Sequence, residues 1–498
     1  MSQTEHILNS LIAFLTEPDK TWSLVTVPFM FAFVAFFLVY ILIGRERRTL
    51  MMGYVVLFSL FFAYKANGLL MLLLPATVLV SWWLTRQMHE REGRQRLWWM
   101  WATVVIDLLP LAYFKYTNFF IDIVNDVVRT NFAPLSLLLP IGISFYTFQL
   151  ISYVVDVYRR QVRAQSSYWM LLLYASLFHQ CIAGPIVRYQ DIQRDIVTRK
   201  PTLAEISTGV TRFTVGLAKK AILANGCAAI ADQFFDQGAD ALAQVPALGI
   251  LLAAFAFTLQ IYLDFSAYSD MAIGMGLMCG FHYKENFNYP YISQSISEFW
   301  RRWHISLGSF FRDYVYIPLG GNRVPMVLQL RNLFVVWFLT GLWHGASWNF
   351  VLWGLFFGVL IGIERFVLKG ALSGLPAPVK AVGVFLLVMF SWILFKFTDF
   401  TLMATAVKGL FGLNGNGLTS VDVALAFKNN VFFLIFCTIA STPVGRGLRN
   451  LLKNLSLRSR GLFWLNGVVE IAIPVFLLLL AAAALAGDSY NPFLYFRF

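Results

Sequence analysis

Two of the chain's six histidines stand where an imidazole can serve as a base. His344 lies in "LTGLWHGASWNF" (339–350), among Leu, Trp and Phe with no acidic residue beside it in sequence, and His304 lies in "SEFWRRWHISL" (297–307). A polar group left uncompensated in an apolar medium costs several kcal/mol, so a histidine kept there points to use rather than packing. Desolvation pushes an imidazole pKa down, which leaves the ring neutral and ready to accept a proton. The other four offer less. His6 and His89 lie in polar stretches, His282 follows a Gly-Phe turn, and His179 in "LFHQCIAGP" stands beside a Gly-Pro step whose freed backbone needs hydrogen-bond partners.

Ionisable residues gather in the same part of the chain. Between positions 260 and 331 stand Asp264, Asp270, His282, Glu298, Arg301, Arg302, His304, Arg312, Asp313 and Arg323. That density fits either a polar segment at a membrane interface or the lining of a pocket. Glu298, Arg301 and Arg302 fall at i, i+3 and i+4, so an ion pair along one helix face accounts for them. His304 is not explained that way.

The elements that must hold these residues are membrane helices. Of 498 residues, 58% are hydrophobic, 17% aromatic and only 13% charged, and the mean hydropathy is +0.66. Soluble domains do not have this composition. Many apolar runs approach the roughly 20 residues that cross about 30 Å of hydrocarbon as helix. They are continuously apolar rather than alternating, which excludes a membrane β-barrel. The expected fold is an all-α, polytopic helical bundle with about eleven to thirteen membrane-embedded segments, some of them re-entrant where Pro, Gly and polar residues interrupt the runs between 168 and 345. The run at 23–43 is the clearest span and lacks the pattern of a removable signal peptide.

The net charge of +13 does not point to nucleic acid, because the basic residues fall in short clusters between apolar runs. These are "GRERR" (44–48), "RQMHEREGRQR" (86–96), "RRQVR" (159–163) and "RGLRNLLKNLSLRSR" (446–460). The positive-inside bias assigns them to the cytoplasm. Residues 23–43 then run inward, 51–84 break near "KANG", 97–116 run outward to an external loop bearing Asp122 and Asp126, and 135–158 return. Residues 462–485 lead outward, so both termini are expected outside the cytoplasmic membrane. Cys181, Cys227, Cys279 and Cys437 lie in or beside apolar runs and read as small hydrophobes, not as a disulfide framework or a metal site.

Several long stretches carry a family resemblance. "LDFSAYSDMAIGMGLMCGF", "ENFNYPYISQSISEFWRRWHISLGSFFRDYVYIPLGGNR", "LTGLWHGASWNFVLWG", "LPIGISFYTFQLISYVVDVYR" (139–159) and "FHQCIAGPIVRY" (178–189) resemble the membrane-bound O-acyltransferase (MBOAT) superfamily. The likeness is to its bacterial branch, which includes alginate, peptidoglycan and cellulose O-acetylation membrane subunits and the D-alanyl transfer protein of teichoic acid. It runs from about residue 100 to the C-terminus. It implies an N-terminal set of transmembrane segments over 1–96, a catalytic core over 97–485 with its signature at 260–354, and an extracytoplasmic aromatic tail at 486–498.

The resemblance implies acyl transfer through a funnel across the protein, from a cytoplasmic thioester, acetyl-CoA, to a hydroxyl on the outer side. His344 corresponds to the family's invariant histidine and His304 to its second. By this reading His344 is the general base, His304 orients the donor, and Arg301, Arg302 and Arg312 contact the nucleotide phosphates; Asn322 and Asn349 are neutral donors nearby. No metal is implied. The tail "FLYFRF" (493–498) resembles a terminal aromatic motif of this branch, so Tyr495 is either a covalent acyl relay or an interfacial anchor. The implied partners are the lipid bilayer of the bacterial inner membrane, an extracytoplasmic SGNH-esterase-like acetyltransferase and a cell-surface polysaccharide as final acceptor. D-alanyl transfer, and a flippase for a lipid-linked sugar using Asp264 and Asp270 as a proton path, are the alternatives.

Overall fold

The computed structural model describes residues 14, 16–19, 22–44, 47–180, 184–368, 370–487 and 492–494. Tyr495, His6 and Cys181 lie outside them. The described residues form helices and connecting segments with no β-strand. Among the described residues nine helical stretches are long and apolar enough to cross a membrane, and two shorter apolar helices, Val27–Ile43 and Phe400–Leu410, accompany them. The nine long stretches make the chain a multi-pass membrane protein, and with the two shorter ones the described residues hold eleven apolar helical segments against the eleven to thirteen expected.

The described residues divide into two compact units. The first takes in those within Met1–Ile206, Gly276–Tyr283 and Asp488–Pro492. Its helices are α1 (Val27–Ile43), α2 (Arg48–Asn67), α3 (Leu73–His89), α4 (Gly93–Leu111), α5 (Thr117–Val128), α6 (Ile143–Tyr158), α7 (Tyr168–Ser176) and α8 (Tyr189–Thr198). The break expected near "KANG" is at Gly68, whose φ of 58° is open to glycine but strained for other residues. Residues 122 and 126 are not in a loop. Pro110 sits inside α4, a π-helical turn at Ala112–Tyr116 follows, and α5 continues to Val128. Asn118 and Asn125 on α5 each use both amide atoms to hold the extended strand of chain after it, through Leu135 and Phe132 respectively. Within this unit Arg96 is buried because it donates to the last carbonyls of α6, Val157 at 2.6 Å and Tyr158 at 3.2 Å.

The second unit takes in those within Ser207–Met275, Lys284–Gly487 and Phe493–Phe498. It holds most of α9 (Leu203–Ala218), then α10 (Asn225–Phe235), α11 (Ala239–Gln244), α12 (Ala247–Met278), α13 (Ile296–Arg302), α14 (Ile305–Phe311), α15 (Met326–His344), α16 (Trp348–Gly362), α17 (Ala377–Lys396), α18 (Phe400–Leu410), α19 (Val421–Ala440), α20 (Val444–Ser456) and α21 (Arg460–Gly487). The most apolar 18-residue window of α12 is 78% buried and that of α21 only 6%, so α12 is a central helix and α21 faces lipid. An aromatic core of Phe257, Phe299, Trp353, Phe357 and Trp392 fills the middle of the unit. The basic stretch 446–460 is not a plain loop. Val444–Ser456, which overlaps it, forms α20, and this helix exposes Leu448, Leu451 and Leu452 between Arg446, Arg449 and Lys453, the pattern of a helix lying in a membrane interface.

Helices α15 and α16 form a tight hairpin joined by residues 345–347. Gly341 and Gly345 are one turn apart, and glycine recurs on α16 at 354, 358 and 362. A Cβ added at Gly341 would overlap the Phe350 carbonyl, and one at Gly354 would overlap the Trp337 carbonyl. Backbones that close need small residues, the device that packs helices where lipid removes the usual hydrophobic drive. Gly354→Leu should therefore force the hairpin apart and destabilise the protein by about 1–3 kcal/mol. The expected outcome is a lower melting temperature of the detergent-solubilised protein, and an unchanged one would show that the backbone contact is dispensable.

Candidate active site

The hairpin fixes His344. It is the last residue of α15, and Gly345 after it turns to extended backbone against the Phe350 ring. The side chain is 7% exposed. Three rings stand edge-on to the imidazole: Trp343 and Trp353, each with centroids at 4.9 Å, and Phe395 at 5.4 Å. Asn349 on α16 donates to the Leu394 and Phe395 carbonyls, which ties the end of α17, and so the Phe395 wall, to the same hairpin.

His304 is held by a break between two short helices. Its φ of 43° and ψ of 54° are left-handed, which is strained for a residue with a Cβ and is kept where the surroundings impose it. Here Asn286 imposes it: its carbonyl accepts from the Ile305 N–H at 2.9 Å, and its Oδ1 accepts from the N–H and hydroxyl of Ser306. Asn288 N–H donates to the Arg302 carbonyl just before the break. The imidazole is 3% exposed, and its Nδ1 finds no hydrogen-bond partner among the described residues. Its ring centroid lies 5.7 Å from Trp343, edge-on. Both histidines thus touch the Trp343 indole, although 40 positions separate them in sequence.

A cavity of about 420 Å³ lies next to this region, with neither His304 nor His344 in its lining. Arg301, Arg312 and Arg365 line it together with Tyr316, Ile305 and Thr340; Ile305 adjoins His304, and Thr340 is one helical turn before His344. Of the three arginines singled out in sequence, Arg301 and Arg312 stand on this cavity. Arg302 does not line it, because its guanidinium is held by Glu298 at 2.8 and 2.9 Å and by the Asn288 carbonyl. This is the i, i+4 pair that the spacing predicts. Arg312 is bonded to its neighbour Asp313.

Arg365 is the cavity residue that sequence reasoning missed. It lies in a π-helical turn, Ile363–Leu368, and its Nη1 donates to the Tyr316 hydroxyl at 2.9 Å. Tyr316 in turn donates to Asn322 Oδ1 at 2.6 Å and belongs to another π-helical turn, Arg312–Tyr316. Such turns widen a helix and re-aim its side chains, and they recur at functional sites. Beside Arg365, the Glu364 carboxylate accepts from the Ile296 and Ser297 N–H groups, capping the start of α13. The signal available in sequence was a Glu-Arg pair at the end of an apolar run, where charge is expensive.

The remaining positions fall elsewhere. His179 meets the Tyr283 hydroxyl through Nδ1 at 2.9 Å, a side chain rather than the freed backbone expected. His282 bridges Asp195 and Glu205 at 3.1 and 2.8 Å. Cys227, Cys279 and Cys437 are buried free thiols. In the tail, Phe493 and Leu494 are buried within the protein.

Known proteins match this chain over much of its length. The profile of the membrane-bound O-acyltransferase family matches residues 159–402. The chain is 37% identical to a probable alginate O-acetylase AlgI of Azotobacter vinelandii, over 94% of this chain and 99% of that one. It is 33% identical to the peptidoglycan O-acetyltransferase of Helicobacter pylori, over 81% and 82%. With the teichoic acid D-alanyltransferase of Bacillus subtilis it shares 26% identity over 63% of this chain and 80% of the relative.

Burial dominates the chemistry of His304, which lies outside the nine spans. It pushes the imidazole from its ordinary range down to about 4, so the ring is neutral above that pH and gains a proton only below it. NMR of ring-labelled histidine in the solubilised protein should show His304 titrating near 4. A midpoint near 6.5 would mean that water reaches the ring.

Proposed function

Because the chain belongs to the membrane-bound O-acyltransferase family and is an acyltransferase, we propose that it moves an acetyl group from acetyl-CoA to O-acetylate a cell-surface polysaccharide. The observation that carries this reading is the meeting of His304 and His344 on Trp343, beside a cavity bordered by arginines. A thioester is already activated, so the protein needs only a base for the attacking hydroxyl and donors for the charge that develops.

His344 takes the proton of the hydroxyl as its oxygen bonds to the thioester carbonyl carbon. The tetrahedral adduct collapses, the carbon–sulfur bond breaks, and the proton passes from His344 to the departing thiolate. A positioned base of this kind contributes about a hundred- to ten-thousandfold in rate. His304, neutral and walled in by aromatic rings, orients the donor. Arg301, Arg312 and Arg365 supply the charge that fits nucleotide phosphates. The proposed setting is a bacterial inner membrane, with the donor taken from the cytoplasm and both termini outside, a reading that the positive-inside bias of the basic clusters supports.

In the proposed sequence the first acceptor is Tyr495. Its phenolic oxygen takes the acetyl group as an ester, and an acceptor hydroxyl outside then attacks that ester and restores the phenol. An SGNH-like extracytoplasmic acetyltransferase receives the group and passes it to the polysaccharide. The higher identity to O-acetylating relatives than to the D-alanyl transferase supports acetyl over D-alanyl as cargo, and a flippase would leave the arginine cavity without use.

Incubation of the solubilised protein with radiolabelled acetyl-CoA, without acceptor, should place label on the C-terminal peptide, and Tyr495→Phe should abolish it. Arg365→Ala should raise the KM for acetyl-CoA about tenfold or more, as loss of one charge-assisted contact does. Label that persists on the Tyr495→Phe tail would overturn the relay, and an unchanged KM would remove Arg365 from the donor site.

A further inference from the structure

The second unit contains a buried ion pair that the proposed chemistry does not use. Lys220 Nζ lies 2.6 Å from Asp264 Oδ1, and both side chains are 2% exposed. Burying two charges costs more than their attraction returns unless further hydrogen bonds engage them. The local structure is built to make the pair. Lys220 belongs to a π-helical turn, Lys219–Ala224, between α9 and α10, and Asp264 lies midway along α12. Neighbouring Lys219 pairs separately with Asp270 at 2.6 Å, so two consecutive lysines join the turn to the long helix at two points.

What the pair meets is the end of the chain. The Leu494 N–H donates to Asp264 Oδ2 at 2.8 Å, the carboxylate oxygen left over from the ion pair. The Phe493 ring centroid lies 5.0 Å from Lys220 Nζ and 4.9 Å from the Tyr268 ring, edge-on. Phe493 and Leu494 are 1% and 3% exposed. A backbone N–H carried into an apolar interior must find an acceptor, a cation gains by facing a π-cloud, and both needs are met at one dipeptide.

We propose that Lys220 and Asp264 are positioning residues that form an internal latch for the C-terminal tail, with Asp264 reading the Leu494 backbone and Lys220 with Tyr268 reading the Phe493 ring. The latch holds Phe493 and Leu494 inside the second unit. Its bearing on catalysis rests on the role proposed for Tyr495, the next residue in the chain; the latch itself does not.

The test is trimming of the full-length, solubilised chain from its C-terminus by a non-specific carboxypeptidase, read by intact mass, with size-exclusion chromatography to show that each variant stays folded. In the native chain trimming should stall before Leu494. Asp264→Leu, which removes the acceptor, and Phe493→Ala, which leaves the ion pair untouched, should lose residue 494 about tenfold faster, the shift expected from one charge-assisted hydrogen bond or one desolvated cation–π contact. Phe493→Ala decides the matter if Asp264→Leu does not fold. Tyr495→Phe should keep the native protection, whether or not it transfers acetyl. A native tail trimmed through Leu494 as fast as the Phe493→Ala tail overturns the latch, as does loss of protection in Tyr495→Phe. A protected but fully active Tyr495→Phe chain removes the relay and leaves the latch standing.

Discussion

The backbone contact between α15 and α16 sets the position of His344, the base proposed above, and of Trp343 beside it. Glycine at 341 and 354 lets the Phe350 and Trp337 carbonyls come closer than any side chain permits, and α15 therefore ends where His344 faces Trp353 and Phe395. Trp343, the residue before it, reaches the second histidine. In hydrocarbon no solvent drives helices together, so close van der Waals approach carries the specificity. Moving one helix would move the base, its aromatic walls and the border of the arginine cavity together.

Polar groups buried in the second unit are handled in two ways, and the difference separates chemistry from architecture. Lys220 and Asp264 are charged, paired and engaged by the tail, and the same pairing holds Lys219, Arg212, Asp270 and Glu285 together. The two histidines have aromatic rings edge-on around them. Burial lowers the pKa of His304, so that ring stays neutral and keeps a lone pair available. The Lys220–Asp264 pair, which stood out in sequence only as a carboxylate that could carry protons, is explained by the chain end it binds.

Periodicity and composition made most of the fold legible. Apolar runs of spanning length gave the helical membrane bundle, and the i, i+4 spacing gave the Glu298–Arg302 pair. His344 and His304 were readable because an imidazole among Trp and Phe has no cheap structural explanation. Arg365 was not, since a charged residue at the end of a span is indistinguishable from an interfacial anchor until Tyr316 and the cavity are seen. Lys220 and Asp264 were separated by more than forty residues, and nothing local in either segment announces the other. Helices α5 and α20 are not legible as helices from hydropathy because their polar faces lower that of the run.

The central claim is that His344 accepts a proton rather than filling space. It is tested most directly by base-labile acetate on the cell surface, in a deletion strain complemented with the native chain or with His344→Ala at matched membrane expression. The account predicts that His344→Ala reaches the membrane and leaves no ester above the deletion background. Native levels of surface acetate in that strain would make His344 a packing residue and contradict it.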